Sequence, residues 1–215
     1  MTQEKKIYLF DFDGTLVDSM PTFGGIIKRV MEESGLEFTD GTLKIVTPLG
    51  YRGSAKYFRT LGTCEDEDAL TARMEEYAKE EYWNTIPAKE GVCETLRALK
   101  ARGASLNVLT ASPHVTLDPC LKRIGIWDLF DHVWSCEDFL TVKSNPALYG
   151  MVADALGATV SEVIFVDDNV GAVKTAKAAG MIAYGIYDPS SEDYIDEMRE
   201  VSDRYLFTFG ELLQD

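Results

Sequence analysis

Short apolar segments alternate with longer amphipathic segments along most of this chain. The apolar segments are rich in β-branched and aromatic residues, which is typical of buried strands. They are residues 7–12, 105–110, 132–135, 163–168 and 181–186. The segments 90–102, 145–156 and 170–179 between them have helical character, and each is followed or closed by a glycine. Strands that alternate with helices predict an α/β fold in which helices cover both faces of a parallel sheet.

Residues 21–86 break this alternation. They contain helical segments such as 23–34 and 66–82, turn residues such as Gly35 and Gly62, and little strand character. Because this region lies between the first two predicted strands, we expect an inserted all-helical domain. We therefore assign residues 1–17 and 87–215 to the α/β core and residues 18–86 to the helical domain.

The charge of the chain restricts its partners. Asp and Glu number 36 against 21 Lys and Arg, which gives a formal net charge of -15. Such a field repels nucleic acid and anionic membrane surfaces, so we expect neither as a partner. No apolar run approaches the roughly 20 residues of a membrane helix, and the first residues reach a charged turn too early for a signal peptide. We therefore expect a cytoplasmic protein.

Two acidic pairs follow predicted strands. Asp11 and Asp13 lie in DFDGT after the first strand, and Asp167 and Asp168 lie in VDDN after the fourth. Open α/β sheets bind ligands at the carboxyl ends of their strands. Four carboxylates in one crevice repel one another unless a cation is present, and carboxylate oxygens are ligands that suit Mg²⁺. A carboxylate can also attack phosphorus if the phosphate charge is neutralised.

Two further positions offer groups that bind phosphate. Thr110 ends a predicted strand and is followed by Ala111 and Ser112, which together offer a hydroxyl and backbone N–H groups near a helix start. Lys143 precedes the helix predicted to begin near residue 145 and offers a positive charge. Taken singly, Thr110 is also compatible with an ordinary strand end and Lys143 with a solvated lysine.

The order of these motifs carries more information than any one of them. The chain has D-x-D-G-T, then a strand ending in threonine, then K-x-x-P, then D-D after another strand. This order resembles that of the haloacid dehalogenase superfamily of phosphohydrolases, and the resemblance covers essentially the whole chain. It implies a Rossmann-like core with a mobile helical cap at residues 18–86. KSNP stands where the family often has KPxP, and DD where it often has ED or GD.

The resemblance also implies a role for each motif. Asp11 would be the nucleophile that forms an aspartyl phosphate, and Asp13 the general acid and base. The expected phosphate ligands are Thr110, Ala111 and Lys143, and the expected Mg²⁺ ligands are Asp11, Asp13 through its backbone carbonyl, Asp167 and Asp168. The substrate would be a small phosphorylated metabolite such as phosphoglycolate or a sugar phosphate, hydrolysed by a phosphatase. We expect a monomer, which is the default for a capped enzyme of this size without a coiled-coil seam. In the cap, Arg52 is a candidate for binding a second anionic group of the substrate, although an ordinary surface arginine is an equal alternative.

Other reactions of the superfamily remain alternatives. Proteins similar to β-phosphoglucomutase, which transfer the phosphoryl group back to sugar, usually have a histidine ten residues after the second aspartate, where this chain has Phe23. The dehalogenase members lack the second aspartate and need no metal, so Asp13 and the Asp167 and Asp168 pair argue against that chemistry. Phosphonate cleavage needs a cap lysine that forms a Schiff base, and Lys28, Lys44 and Lys56 leave that reaction open.

A protein that binds a phosphorylated ligand without catalysis is an alternative of another class. It predicts that at least one of the four motifs is damaged. All four motifs are intact, so the sequence favours a phosphatase.

Overall fold

The computed structural model describes residues 6–214, apart from the side chains at positions 40 and 48. Residues 1–5 and 215, which the sequence analysis assigns to the core, lie outside this range. The chain divides into two compact units. One contains the residues up to Asp18 together with those from Pro87 onward, and the other contains Ser19–Ile86.

The first unit is built on one sheet of six parallel strands. The strands are β1 (Ile7–Phe10), β2 (Ser105–Thr110), β3 (His132–Ser135), β4 (Val163–Asp167), β5 (Ile182–Ile186) and β6 (Arg204–Leu206). Their order in the sheet is β3-β2-β1-β4-β5-β6, so β1 and β4 lie at the centre. The predicted α/β fold with a parallel sheet is confirmed, and the short edge strand β6 is an addition to it.

All the secondary structure described for the second unit is helical. Its α-helices are α1 (Met20–Glu33), α2 (Asp40–Val46), α3 (Gly50–Thr60) and α4 (Glu67–Asn84). Ile27, Met31, Phe58 and Met74 are fully buried in their common core. Aromatic side chains such as Phe23 pack against that core, so within this unit they contribute to its packing.

The helices of the α/β unit follow the strands in sequence. They are α5 (Val92–Ala101), α6 (His114–Arg123), α7 (Ala147–Leu156), α8 (Val170–Ala178) and α9 (Ile195–Val201). Short 3₁₀ segments lie at Thr47–Leu49, Trp127–Leu129, Cys136–Phe139, Val160–Glu162, Pro189–Tyr194 and Phe209–Gln214. Among residues 6–214, no helix is both long enough and apolar enough to cross a membrane.

Side chains from opposite faces of the sheet enter two apolar layers, because successive residues of a strand point to opposite sides. Leu9 and Phe165 belong to a buried cluster that includes residues of α7, α8 and α9, and Phe165 meets Tyr149 edge to face. On the other side Tyr8 and Phe10 stack, and Phe10 also contacts Phe209. Burying each such side chain contributes about 1.5–3 kcal/mol, which fixes the central strands in place.

The register of the two central strands determines where their acidic residues lie. Phe10 of β1 is the partner of Val166 in β4. The Asp11 N–H donates to the Val166 carbonyl at 2.9 Å and extends the pairing by one residue. Parallel strands end at the same edge, so this register brings Asp11 beside Asp167.

The chain leaves the α/β unit and returns to it along paired segments. The Asp18 N–H donates to the Pro87 carbonyl at 3.0 Å, and the Lys89 N–H donates to the Leu16 carbonyl at 3.0 Å. A bridge between Val17 and Ala88 lies between these two bonds. The residues that flank the helical insertion are therefore held side by side within the α/β unit.

Candidate active site

Asp11 and Lys143 form a buried ion pair at the carboxyl edge of the sheet. Asp11 follows β1 directly, and its Oδ1 atom contacts Lys143 Nζ. The same ammonium donates to Asp167 Oδ2 at 2.8 Å. Lys143 is therefore shared by two carboxylates from adjacent strands, which places three of the predicted site residues in one group.

Asp168 completes a cluster that can hold a divalent cation. Asp11, Asp167 and Asp168 each offer a carboxylate oxygen, and these oxygens lie within 4.8 Å of one another. All three side chains are buried. Oxygen-rich, negatively charged sites of this kind suit hard cations such as Mg²⁺. The cluster contains three of the four predicted metal ligands. The fourth, Asp13, is predicted to bind the metal through its backbone carbonyl.

Two carboxylates of this cluster, Asp11 and Asp168, are unfavourable in their charged form. Burial, followed by the nearby charge of Asp167, raises the pKa of Asp11 to about 7 against the opposing effect of Lys143. Burial also raises the pKa of Asp168 well above its usual range, and the charges of Asp167 and Asp11 add to this shift. Lys143 therefore offsets only part of the effect of burial and mutual repulsion on Asp11.

Lys143 is held in its charged form and in a fixed position. Burial disfavours its charge, but the carboxylates of Asp11 and Asp167 outweigh burial and raise the pKa of the ammonium. The buried Tyr149 hydroxyl of α7 lies 3.0 Å from the Lys143 carbonyl and 3.2 Å from the Ala172 carbonyl. The packing of α7 against α8 thus fixes the backbone that presents Lys143.

The DGT turn after β1 lies against Asp168. Gly14 has a φ of 71°, in the left-handed region that glycine adopts most readily, and its N–H donates to the Val17 carbonyl at 3.0 Å. The Thr15 hydroxyl donates to Asp168 Oδ1 at 3.1 Å and accepts the Asp168 N–H at 3.2 Å. Thr15 was not predicted as a site residue, although its position directly after Asp13 and Gly14 was a usable signal.

Asp13 is linked to the end of β2 through a serine. The Ser112 hydroxyl donates to Asp13 Oδ2 at 2.5 Å. The Ser112 N–H in turn donates to the Thr110 hydroxyl at 3.0 Å, and Thr110 is buried while Ala111 is exposed. The two predicted phosphate-binding residues at the end of β2 are therefore connected to the predicted general acid and base. Their binding of phosphate stays a prediction.

Arg52 lies in α3 of the helical unit. Its guanidinium donates to Asp68 Oδ1 at 3.0 Å, and both side chains are well exposed. An exposed pair of this kind contributes little to stability. Its role in substrate binding stays a prediction.

A second lysine near the cluster was not predicted from the sequence. Lys89 Nζ donates to the Gly14 carbonyl at 2.6 Å, to the Tyr187 carbonyl at 2.9 Å and to Asp188 Oδ2 at 2.7 Å. Asp188 is 1% exposed and also accepts the Ser190 N–H and hydroxyl. Lys89 and Asp188 are 99 positions apart, so no local motif could have revealed the pair.

Comparison with known proteins agrees with this arrangement. Residues 8–186 match the family described as haloacid dehalogenase-like hydrolase. A phosphoglycolate phosphatase of Colwellia psychrerythraea is 27% identical over 98% of this chain and 96% of its own length. YhcW of Bacillus subtilis, named as a candidate phosphatase, is 30% identical over 82% of this chain and 80% of its own length.

Solved structures with the same fold cover nearly the whole chain. A predicted phosphoglycolate phosphatase from Haemophilus somnus superposes with a TM-score of 0.84 and 24% identity, over 100% of this chain and 99% of that one. A family hydrolase from Deinococcus radiodurans with bound phosphate and sodium superposes with a TM-score of 0.75 and 25% identity, over 97% and 93%. These solved structures therefore share the fold of this chain.

Proposed function

The chain belongs to the haloacid dehalogenase-like hydrolase family, and we propose from this that it is a Mg²⁺-dependent phosphatase that forms an aspartyl phosphate on Asp11. The phosphatase names of its relatives confirm the predicted enzyme class, a phosphoric monoester hydrolase.

One observation carries this proposal. Asp11 contacts Lys143 and lies in the same buried carboxylate cluster as Asp167 and Asp168. A carboxylate that attacks phosphorus must approach an anionic substrate, so it needs concentrated positive charge beside it. Lys143 supplies one charge, and the cluster has the oxygen ligands for a divalent cation.

The residues fit Mg²⁺ on the chemistry of their donors. Asp11, Asp167 and Asp168 would hold the ion, with the Asp13 backbone carbonyl as a further ligand. The bound cation would supply charge that offsets the repulsion between Asp11 and the phosphate. The raised pKa values of Asp11 and Asp168 agree with a site whose carboxylates are stabilised by a cation in the working enzyme.

The first half of the reaction transfers the phosphoryl group to the protein. An Asp11 oxygen forms a bond to phosphorus while the bond between phosphorus and the leaving alcohol oxygen breaks. Asp13 gives its proton to that oxygen, which leaves as a neutral alcohol. Lys143, the Thr110 hydroxyl and the Ala111 backbone N–H hold the other phosphate oxygens as charge spreads over them.

The second half returns Asp11 to its starting state. Asp13, now a carboxylate, takes a proton from a water molecule whose oxygen bonds to phosphorus as the bond to Asp11 breaks. Inorganic phosphate leaves, and Asp13 is protonated again. The hydrogen bond from Ser112 supports this role because it orients the Asp13 carboxyl group.

The proposed substrate is a small phosphorylated metabolite, with phosphoglycolate as the first compound to test. The support is the name of relatives such as the Colwellia psychrerythraea enzyme, which aligns with nearly the whole chain. Arg52 remains the proposed contact for a second anionic group, by the two parallel hydrogen bonds that a guanidinium can donate to a carboxylate.

The test measures inorganic phosphate released from a panel that contains phosphoglycolate and several sugar phosphates, with Mg²⁺ and with EDTA. Wild type and Asp11→Asn are compared, with Asp154→Asn as a control because Asp154 is exposed on α7. We expect release by wild type and Asp154→Asn only when Mg²⁺ is present, and none by Asp11→Asn.

The absence of release from every compound would overturn the proposal, and so would either of two further results. Release that persists in Asp11→Asn would exclude this residue as the nucleophile. Conversion of a sugar phosphate to its isomer without free phosphate would identify a mutase instead.

A further inference from the structure

The ammonium of Lys89 uses all of its hydrogen-bonding capacity inside the α/β unit. A lysine ammonium has three donors, and this one has three acceptors within 2.9 Å. They are the Gly14 carbonyl, the Tyr187 carbonyl and the Asp188 carboxylate. The side chain is 18% exposed, so the group is largely removed from solvent. None of the steps proposed above uses it.

Asp188 determines where this ammonium lies. It follows β5 by two residues and is 1% exposed. One of its oxygens accepts the N–H and the hydroxyl of Ser190, and the other accepts Lys89. A buried carboxylate that lost its positive partner would be strongly unfavourable. The pair therefore links the end of β5 firmly to the turn that follows β1.

The bond to the Gly14 carbonyl acts on the centre of the candidate site. Gly14 has no Cβ atom and a φ of 71°, so its own backbone restricts the turn less than any other residue would. Its carbonyl belongs to the peptide that joins Gly14 to Thr15. The Thr15 hydroxyl bonds both the side chain and the backbone N–H of Asp168. Fixing this peptide plane restrains Asp13, which precedes it in the sequence, and the contact of Thr15, which follows it, with Asp168.

We propose that Lys89, anchored by Asp188, is a positioning residue that fixes the Gly14–Thr15 peptide and thereby places Asp13 and Asp168 for cation binding and proton transfer. Its consequence for turnover rests on the proposed phosphatase function. Its consequence for the structure of the turn is independent of that function. Lys89 does not touch the reacting atoms in this proposal.

The test separates positioning from simple charge balance. Lys89→Met removes the hydrogen-bond donors but would leave the negative charge of Asp188 buried without a partner. Asp188→Asn removes that charge, so the double variant Lys89→Met/Asp188→Asn has no net charge at this pair. The control is Lys177→Met/Asp203→Asn, at a more exposed ion pair. Lys177 and Asp203 pair at 3.0 Å in the same unit, and Asp203 likewise accepts a backbone N–H, from Ala183.

We expect three changes in the Lys89/Asp188 double variant and none in the control. Amide hydrogen exchange at residues 14–17 becomes faster in the metal-free protein, while exchange in β4 stays as in wild type. The Kd for Mg²⁺, measured by calorimetry without substrate, rises about 10–100-fold, the range found when groups that orient metal ligands are lost. The kcat falls by a similar factor, while the KM changes little.

Each other outcome has a definite meaning. Unchanged exchange at residues 14–17 overturns the proposal, and so does faster exchange with wild-type Mg²⁺ affinity and kcat. Should the double variant not fold, Asp188→Asn alone, which keeps Lys89 but removes its charged anchor, must show the same changes to a smaller degree. If wild type released no phosphate from any compound, the proposed function would fail, whereas hydrogen exchange and Mg²⁺ binding would still decide the role of Lys89.

Discussion

Gly14 lies so close to Asp168 that a Cβ atom built on Gly14 would stand 2.5 Å from Asp168 Oδ2. Real Cβ atoms do not approach other atoms so closely, so any larger residue would displace the Asp168 carboxylate. The absence of a side chain at Gly14 is therefore what allows the DGT turn and the DD pair to share one space. Two motifs separated by more than 150 residues depend on each other at this contact.

Gly14→Ala should abolish Mg²⁺ binding and phosphate release. The left-handed backbone costs an alanine about 1–2 kcal/mol, and the clash moves Asp168 as well. Gly125→Ala is the matched control, because Gly125 has a φ of 73° but no atom within 4 Å of the added Cβ. Calorimetric titration with Mg²⁺ and denaturant unfolding should show a similar backbone cost in both variants and a loss of Mg²⁺ binding only in Gly14→Ala. Wild-type Mg²⁺ affinity in Gly14→Ala would contradict this account.

Thr15→Val should weaken both folding and catalysis. Valine keeps the shape of threonine, but it leaves the buried Asp168 N–H without the hydroxyl that accepts it, at a cost of about 1–3 kcal/mol. Asp168 also loses its orientation, so phosphate release should fall about 10–100-fold.

The control for Thr15→Val is Thr71→Val. Thr71 is a buried threonine of α4 whose hydroxyl donates to the Glu67 carbonyl of its own helix at 2.8 Å. Phosphate release by Thr71→Val should equal that of wild type in the same assay. Equal losses of activity in both variants would assign the effect to general destabilisation.

Ser112→Ala should lower kcat about tenfold and leave the KM nearly unchanged, because it removes a hydrogen bond to Asp13 and no group that binds substrate charge. Steady-state kinetics with the best substrate of the panel measure this separation. Ser161→Ala, at an exposed serine in a 3₁₀ segment, serves as the control. A rise in KM without a change in kcat would instead place Ser112 in substrate binding.

Lys143→Met should eliminate detectable turnover and destabilise the metal-free protein. Asp11 and Asp167 would lose their shared cation, and breaking a buried ion pair in this way typically costs about 3–5 kcal/mol. Thermal unfolding should show a larger rise in Tm on Mg²⁺ addition than in wild type, since the ion then replaces part of the lost charge. Lys174→Met, which breaks an exposed pair with Glu197, should show neither effect.

The pH dependence of stability should reveal the Asp11 carboxyl. Its pKa is raised from 3.8 to about 7 in the folded protein, so between these values the folded state keeps a proton that the unfolded state has released. The free energy of unfolding in EDTA should therefore fall with rising pH across this window, by up to about 1.4 kcal/mol per pH unit from this group.

Asp11→Asn removes that contribution. Urea unfolding at about pH 5 and about pH 8 should show a smaller loss of stability in Asp11→Asn than in wild type. Asp154→Asn should keep the wild-type dependence. Parallel curves for wild type and Asp11→Asn would show that Asp11 is ionised well below neutral pH.

The sequence predicts most of the sheet because its central strands β1, β2 and β4 are almost entirely buried and rich in apolar residues. Five strands begin and end within two residues of their predicted positions. The sixth, Arg204–Leu206, has three residues at a sheet edge and shows no such run. Helix α6 was not delimited either, since Pro119 in its interior interrupts the helical pattern.

Part of the site is also encoded locally. Asp11 and Asp168 stand directly after strands and Asp167 ends β4, so the meeting of these carboxylates follows from parallel strands that end at one edge. Lys143 stands in a recognisable motif. The contact between Lys89 and Asp188 follows no such rule. It depends on how the chain returns from the helical insertion and on the turn after β5, both of which are properties of the folded backbone.

The pairing of Asp18 with Pro87 also makes the insertion separable in principle. The backbone atoms that flank it are joined by a hydrogen bond of 3.0 Å, so a tight turn of a few residues could connect them without stretching either segment. The entropic cost of closing so short a loop is smaller than the cost of closing the 68-residue insertion that it would replace. Grafting a different module between Asp18 and Pro87 would likewise leave the strand ends that carry Asp11 and Asp167 undisturbed.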